Sequence, residues 1–481
     1  ITGLDAGTAT GIGGGFVDVE NLTGGTSTDL FGLDGGTLTG ALDGGSGAND
    51  TLTADDAVAT AFVITGLDTG TVTGVGGGFS DIENLTGAAS ADTFTLNGGT
   101  LTGSISGGAG AANDTLAADD GVPTAFVIIG ANQGSITGIG GGFTEVENLT
   151  GAASADTFTF GAAGQLTGNI TGAGGDDLFN LTVGLGIGGI LDGGGDNDQL
   201  IGPETAAVYT ITGLDAGTAT GIGGGFVDVE NLTGGASTDL FGLDGGTLSG
   251  AINGGGGAAN DTLVADDAVS TSFVLTGANA GVTPGIAGGF SDIENLTGGA
   301  SDDLFVAPSG TSLTGTMTGA TGNDQFNINP DAGTTFLVAG GPHSSPSGDV
   351  LTVTDQTQLP VDNGTTITTL GLATVTYSQI ETISLQCGGC AVGSSLSLLN
   401  DSSNSPMRQA AFADLGGSPQ ETNNAPTGLE TSGEPSDRGI AEGVFATYAT
   451  APVAEVAIML LDRPKKNCGK FPVLSGMIPP R

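Results

Sequence analysis

The chain has 481 residues, of which 94 are Gly and none is Trp, and its 52 acidic residues against 7 Lys or Arg give a formal net charge of −45. All seven basic residues follow position 407. Such a surface repels nucleic acid and anionic lipid and attracts cations, and no apolar stretch reaches the roughly 20 residues of a membrane span. We therefore expect divalent cations as partners, no nucleic acid and no membrane span.

Repeats begin at the start of the chain. The run GGFVDVENLTGG at 14–25 returns four times in near-copies, which places the Glu of its ENL motif at positions 20, 83, 147, 230 and 294. A finer mark, an aliphatic residue two positions before a glycine, recurs every 20–23 residues from Ile1 to Met317. Helix interiors resist glycine and β-branched residues. This composition therefore favours short strands joined by tight turns.

Stacked coils of this length predict an all-β fold. Each coil would bury its aliphatic mark against the next one, which is how a solenoid builds its core. We predict a parallel β-helix (β-solenoid) of about 21 residues per coil over residues 1–390, in three-coil units of 63–64 residues with some four-coil units. Residues 391–481, which hold every basic side chain, are predicted to form a low-complexity or disordered tail. Because Ile1 lies inside a repeat, we expect the chain to be a fragment of a longer protein.

Aspartates recur at a fixed phase in the coils, seven to nine residues after the aliphatic mark, and a Phe or Leu follows two positions later. Carboxylates stacked ~4.8 Å apart repel by about 3.5 kcal/mol at an effective dielectric near 20, and no Lys or Arg offsets this repulsion. The turns splay into water, the carboxylates bind protons, or a hard cation such as Ca²⁺ bridges them. The candidate ligands are Asp29, Asp50, Asp92, Asp114, Asp156, Asp177, Asp198, Asp239, Asp261, Asp303 and Asp324.

Four segments, GAGGDDLFN, GGGDNDQLI, GGASDDLFV and GATGNDQFN, resemble the RTX nonapeptide GGxGxDxUx, whose Asp binds calcium in a parallel β-roll. By position, the resemblance implies Asp177, Asp198, Asp303 and Asp324 as calcium ligands. Unlike RTX repeats, these segments occur once per coil. The alternative to calcium binding is a set of water-exposed Asp side chains in Asx-type turns.

Two smaller motifs receive structural interpretations. The asparagines of the ENL motifs are expected at turns, where side-chain amides bond the backbone, although their N-x-T spacing is also a glycosylation sequon. The CxxC spacing of Cys387 and Cys390 has no second pair to complete a metal site. We interpret this spacing as incidental.

Enzymatic activity is not expected. Polysaccharide lyases and epimerases with a parallel β-helix use Arg, Lys or His for proton transfer, whereas the predicted solenoid holds no Lys or Arg and only one histidine, His343. A carbohydrate-active β-helix enzyme and an inert structural filament without metal are the alternatives to the function proposed next.

Taken together, the ENLTGG, LTG and NDTL repeats resemble those of giant bacterial surface proteins, the RTX-like and filamentous-haemagglutinin-like β-helical adhesins. The resemblance covers about residues 1–390. It implies export to the extracellular space or the bacterial cell surface. It also implies a role as an adhesin or stalk in attachment or biofilm, with host or surface glycans or proteins as partners.

Overall fold

The computed structural model describes residues 1–183, 186–343, 345, 348–355, 359–368 and 372–388, together with strands at 395–399 and 409–412. Within these residues the regular secondary structure consists of strands, and none of them is helical. The search for membrane spans accordingly finds, among the described residues, no helix with the length and apolarity to cross a bilayer.

The strands are short, two to six residues each. In the first part of the chain they are β1 (Ala6–Ala9), β2 (Ile12–Val17), β3 (Leu22–Thr23), β4 (Leu30–Gly32), β5 (Leu42–Asp43), β6 (Thr51–Thr53), β7 (Ala61–Gly66), β8 (Thr69–Val72), β9 (Val75–Ser80), β10 (Asn84–Thr86), β11 (Thr93–Leu96), β12 (Ile105–Ser106) and β13 (Thr115–Ala117). The next part contains β14 (Ala125–Gly130), β15 (Gln133–Ile136), β16 (Ile139–Thr144), β17 (Asn148–Thr150), β18 (Thr157–Phe160), β19 (Gln165–Leu166), β20 (Ile170–Thr171), β21 (Leu178–Asn180), β22 (Gly186–Ile187), β23 (Leu191–Asp192), β24 (Gln199–Ile201), β25 (Val208–Gly213), β26 (Ala216–Ala219) and β27 (Ile222–Val227).

The last part contains β28 (Asn231–Thr233), β29 (Leu240–Leu243), β30 (Ile252–Asn253), β31 (Thr262–Val264), β32 (Ser272–Gly277), β33 (Ala280–Thr283), β34 (Ile286–Ser291), β35 (Asn295–Thr297), β36 (Leu304–Ala307), β37 (Thr316–Thr318), β38 (Gln325–Ile328), β39 (Phe336–Ala339), β40 (Val350–Asp355), β41 (Val361–Asp362), β42 (Thr366–Thr368), β43 (Val375–Ser378), β44 (Thr382–Cys387), β45 (Ser395–Leu399) and β46 (Gln409–Phe412).

Most strands stack in parallel in two sheets that the chain visits in turn. In the first sheet, β3 pairs with β5 through Leu22 and Leu42; in the second sheet, β4 pairs with β6 through Phe31 and Leu52. In this stretch the aliphatic marks Leu22 and Leu42 stack in one sheet, and the large residues after the aspartates, Phe31 and Leu52, stack in the other. Buried residues of both sheets belong to one contiguous core. This stacking of mostly parallel strands is consistent with an all-β solenoid, as the period predicts.

The last mark of each unit lies in an antiparallel meander, which the sequence period did not reveal. Strands β7, β8 and β9 pair antiparallel with one another, while β7 and β9 pair in parallel with β11 and β5 on either side. The meanders β14–β16, β25–β27 and β32–β34 repeat this arrangement. In the meander β7–β9, the two turns contain Asp68 and Gly74, both with positive φ. The chain therefore crosses one sheet three times before it passes to the other.

Each meander changes the sheet on which the next unit begins. The ENL strands β3, β17 and β35 lie in the first sheet, and β10 and β28 lie in the second. Units that are nearly identical in sequence therefore occupy opposite faces of the stack.

Aromatic rings stack inside the core. Phe62 lies on Phe94 with ring centroids 5.0 Å apart and an interplanar angle of 3°, and Phe158 stacks on both Phe126 and Phe179. Stacked aromatic pairs of this kind contribute about 0.5–1.5 kcal/mol beyond the area they bury. They fix the vertical register of successive strands.

The C-terminal prediction is mostly untested. Strands β45 and β46 continue the second sheet in antiparallel pairing beyond β44, and the rest of the predicted tail 391–481 lies outside the described residues. Cys387 is disulfide-bonded, and the interpretation of the CxxC spacing as incidental stays a prediction. Cys390 lies outside the described residues.

Tyr209 and Gly202 form a matched pair in the core. The Tyr209 hydroxyl donates to the Thr233 carbonyl at 3.3 Å, and a Cβ on Gly202 would collide with the Tyr209 hydroxyl oxygen. At the Tyr209 position the other meanders have Phe62, Phe126 and Phe273. The Gly202 N–H donates to a threonine carbonyl of the next strand. The residues that make the same bond near the other meanders are Ala54, Ala118 and Ala265. Glycine thus accompanies tyrosine, and alanine accompanies phenylalanine.

We predict that Gly202→Ala lowers the free energy of unfolding by about 1–3 kcal/mol through overpacking, and that adding Tyr209→Phe restores most of the loss. Urea denaturation of the two single variants and the double variant measures this coupling. Additive losses in the double variant would contradict the match.

Candidate functional site

The predicted aspartates share one structural position, immediately before a strand, at the turns where the chain passes between the sheets. Ten of the eleven are buried, and Asp29, near the start of the chain, is half-buried. Burial of the ten rules out the alternative in which these side chains are exposed to water.

The aspartates hydrogen-bond along the stack through the backbone. The Asp156 N–H donates to Asp177 Oδ1 at 2.6 Å, and the Asp177 N–H donates to Asp198 Oδ1 at 2.8 Å. At the two ends, the Thr124 N–H donates to Asp156 Oδ1 and the Asp198 N–H donates to Glu230 Oε2, both at 2.6 Å. We call such a series, in which the N–H of each member donates to the carboxylate of the next, a carboxylate ladder.

Five carboxylate ladders follow one another along the stack, and each ends at a glutamate. Their N–H to carboxylate distances all lie between 2.6 and 2.9 Å. The ladders are Asp29–Asp50–Glu83, Thr60–Asp92–Asp114–Glu147, Thr124–Asp156–Asp177–Asp198–Glu230, Ala207–Asp239–Asp261–Glu294 and Thr271–Asp303–Asp324–Asp349–Glu381.

Sequence reasoning missed the ladder-ending glutamates and Asp349. Glu83 immediately precedes β10, as Asp50 precedes β6, so the ENL motif is the glutamate form of the D-x-L pattern and carried the missing signal. Each of these glutamates precedes the first strand that follows three antiparallel strands in the chain: β10, β17, β28, β35 and β44. Asp349 also has the D-x-L pattern, but a longer loop before it moves it out of phase.

The second carboxylate oxygen has two environments. In the first aspartate of a ladder, Oδ2 accepts the N–H of the residue four positions earlier, as in Asp92 from Ala88 at 2.6 Å and Asp156 from Ala152 at 2.7 Å. In later members Oδ2 is buried and has no hydrogen-bond partner among the described residues: Asp50, Asp177, Asp198 and Asp324.

Outside the meanders, the glycine of the aliphatic-x-Gly mark makes room for the carboxylate. A Cβ on Gly172 would collide with Asp177 Oδ2 and with the Gly193 carbonyl in the next coil. Gly193 and Gly319 stand in the same relation to Asp198 and Asp324. The recurrent glycine and the recurrent aspartate are therefore two parts of one packing unit.

Burial changes the protonation of the ladder carboxyls. It raises the pKa of Asp177 and Asp324 to about 7, and neighbouring carboxylates raise it further, while the backbone N–H donor acts in the opposite direction without cancelling the effect. Burial likewise raises the pKa of Asp114, Asp198 and Asp261 to about 6. At neutral pH Asp177 and Asp324 are thus partly protonated, whereas an unfolded chain would release these protons.

The ENL asparagines bond the backbone, as predicted, and they do so across coils. Asn84 Oδ1 accepts the Ser104 N–H at 3.0 Å, and Asn148 Oδ1 accepts the Asn169 N–H at 2.9 Å. The Asn231 amide nitrogen donates to the Asp198 carbonyl at 3.0 Å. These side chains therefore tie each ENL strand to its neighbours.

The structure brings the predicted ligands into ladders and does not gather them into clusters. In the part of the chain that is described, no group of three or more His, Cys, Asp or Glu side chains could hold a metal ion. Calcium binding at these aspartates stays a prediction.

Neither a scan against protein-family models nor a search of curated proteins finds a match for this chain. Its function must therefore be argued from the geometry of the stack and of the ladders.

We predict that Gly172→Ala destabilises the fold by about 1–3 kcal/mol, because its Cβ would displace the Asp177 carboxylate from the ladder. Gly256→Ala is the matched control, since a Cβ there meets no atom within 4 Å. Chemical denaturation of both variants gives the comparison. Equal effects would contradict the proposed role of the glycine.

The raised pKa values predict a stack that is more stable in mild acid. The folded pKa of Asp177 and Asp324, about 7, exceeds the ordinary value of 3.8, so the contribution of each group is fully present below the unfolded pKa and is lost as the pH rises towards 7. We expect the thermal midpoint to fall between pH of about 5 and about 8, and less steeply in the double variant Asp177→Asn/Asp324→Asn. A midpoint that rises with pH would refute the assignment.

Proposed function

We propose that residues 1–390 form a closed parallel β-helix of about 21 residues per coil that serves as the stalk of a secreted or surface-attached bacterial protein. The observation that carries this proposal is the continuity of the core. One cluster of buried side chains extends from Leu33 to Leu385, and its neighbouring strands are joined by backbone bonds and by ladders. A stack of this kind transmits force along its axis and separates whatever is attached to its two ends.

The dimensions suit a spacer. A stack about twenty strands deep at ~4.8 Å per strand is roughly 95 Å long. Each part contacts only its neighbours in the stack, so length can be changed by adding or removing units. This modularity agrees with the near-identity of residues 1–38 and 211–248, which differ only at Thr26 and Ala236.

Charge and cysteine chemistry support export. The first 407 residues lack Lys and Arg, and a strongly acidic surface keeps a protein soluble and apart from anionic lipid. Cys387 is disulfide-bonded, and disulfides persist mainly in oxidising compartments outside the cytoplasm. The likeness to RTX-like and filamentous-haemagglutinin-like repeats adds an adhesive role, with glycans or proteins as partners.

One surface groove gives no support to the carbohydrate-active alternative. A surface groove of about 700 Å³ is lined by Leu214, Val282, Pro284 and other apolar or hydroxyl side chains without an ionisable group. Such a lining supplies no acid–base pair for proton transfer. A purely structural role fits a surface that repeats from unit to unit.

We predict that deleting residues 85–148, which rejoins the ENLT sequence in frame, shortens the rod by about 17 Å. Two units span seven strand-to-strand steps from β3 to β17, and each step adds ~4.8 Å. Small-angle X-ray scattering of the full chain and the deletion variant gives the maximum dimension. A compact particle, or a cross-section that shrinks instead of the length, would overturn the rod.

A stalk also makes a cellular prediction. When the chain is expressed behind a secretion signal and in front of a reporter domain, added units should increase the distance of the reporter from the cell surface without changing its activity. Antibody accessibility of the reporter in cells with thick surface polysaccharide provides the readout. Accessibility that does not depend on the number of units would contradict the stalk.

A further inference from the structure

The resemblance to RTX repeats implies calcium at the aspartates, and the ladders allow this implication to be tested for fit. Ca²⁺ takes six to eight oxygen ligands, from carboxylates, carbonyls and water. A bridging ion would therefore have to lie where several oxygens of successive coils converge.

The position between successive carboxylates is held by a hydrogen-bond donor. The Asp156 N–H lies 2.6 Å from Asp177 Oδ1, and the Asp177 N–H lies 2.8 Å from Asp198 Oδ1. An N–H dipole directed at a carboxylate supplies positive charge there and excludes a cation from the same place. At each step, Oδ1 thus already has a donor.

The other carboxylate oxygen faces a glycine. A Cβ built on Gly172 would collide with both Asp177 Oδ2 and the Gly193 carbonyl oxygen, so the two oxygens approach the same side of the Gly172 CαH₂ group. Asp177 is 2% exposed. A cation placed at the point where these two oxygens meet would overlap the Gly172 CαH₂ group.

The ladder geometry does not depend on the RTX-like sequence. Asp177 and Asp198 lie in segments that resemble the nonapeptide, whereas Asp156 follows the loop GAASA, which keeps only the first of its glycines. The N–H to Oδ1 bonds are nevertheless the same, 2.6 Å to Asp156, 2.6 Å to Asp177 and 2.8 Å to Asp198. A calcium loop would need its glycines to orient the carbonyls, and this ladder does not.

We infer that backbone N–H groups take the place of calcium in these ladders, so that the aspartate stripe is a metal-independent device for joining coils. The donor set around the ladder carboxylates does not fit Ca²⁺. This inference concerns the rod of the proposed function but does not require it to be a stalk. If the chain forms a rod of the expected length but needs calcium to do so, this inference is wrong and the proposed function still stands.

The test is thermal unfolding of the full chain in Ca²⁺, in Mg²⁺ and in EGTA at matched ionic strength. We expect the two ions to raise the midpoint equally, because both screen a chain with a net charge of −45. EGTA should leave the midpoint unchanged. A midpoint increase specific to Ca²⁺ would overturn the inference.

The variant Asp177→Asn distinguishes a hydrogen-bonded ladder from a calcium site at one residue. The amide oxygen still accepts the Asp156 N–H but no longer offers calcium a charged ligand, so we expect a midpoint at neutral pH no lower than that of the unmodified chain and an unchanged response to both ions. The exposed neighbour Asp176→Asn is the control for lost surface charge. Loss of a Ca²⁺-specific response in Asp177→Asn, with the response kept in Asp176→Asn, would overturn the inference.

Calorimetric titration of the unmodified chain with Ca²⁺ and Mg²⁺ decides the question even where the variant does not fold. Equal weak heats for the two ions support the hydrogen-bonded ladder. Saturable binding of Ca²⁺ without a Mg²⁺ counterpart would refute it.

Discussion

The bond from a backbone N–H to the carboxylate of the next member is the interaction on which the rest of this structure depends. Its donors lie in turns, where the parallel ladder of the sheets has ended and the N–H would otherwise be buried without a partner. Such a group costs about 1–3 kcal/mol when it is left unsatisfied. By placing an acceptor at each of these turns, the aspartates allow coils to stack without water between them.

The recurring sequence pattern follows from that bond. The aliphatic mark fills the core, the glycine two residues later leaves space for Oδ2, the aspartate carries the acceptor, and the Phe or Leu after it enters the opposite sheet. In one coil these roles belong to Ile170, Gly172, Asp177 and Phe179, all of them buried. A ladder ends where a meander intervenes, and there glutamate replaces aspartate.

Much of this architecture could be predicted from the sequence because each coil repeats the same short sequence pattern. The period, the all-β class, the burial of marks such as Leu42 and the stacking of Asp156, Asp177 and Asp198 all follow from spacing alone. The meanders could not be predicted, because Ile64 satisfies the same aliphatic-x-Gly template as Leu42 while its strand is followed by two tight turns, at Asp68 and Gly74. Nor did the repulsion between stacked carboxylates decide the state of the aspartates. From the sequence, exposure to water, protonation and cation binding were considered, but a hydrogen bond from the backbone N–H was not.

The carboxylate ladder is built from the chain itself. Its members are buried and alike from unit to unit, and the surface they leave outside is acidic and repetitive. The most direct test of this account is residue-resolved hydrogen–deuterium exchange at the amides of Asp156, Asp177 and Asp198. The account predicts that these turn amides exchange as slowly as the core strands β18 and β21. Exchange as rapid as in the exposed loop 256–258 would show that the carboxylates do not hold the coils together.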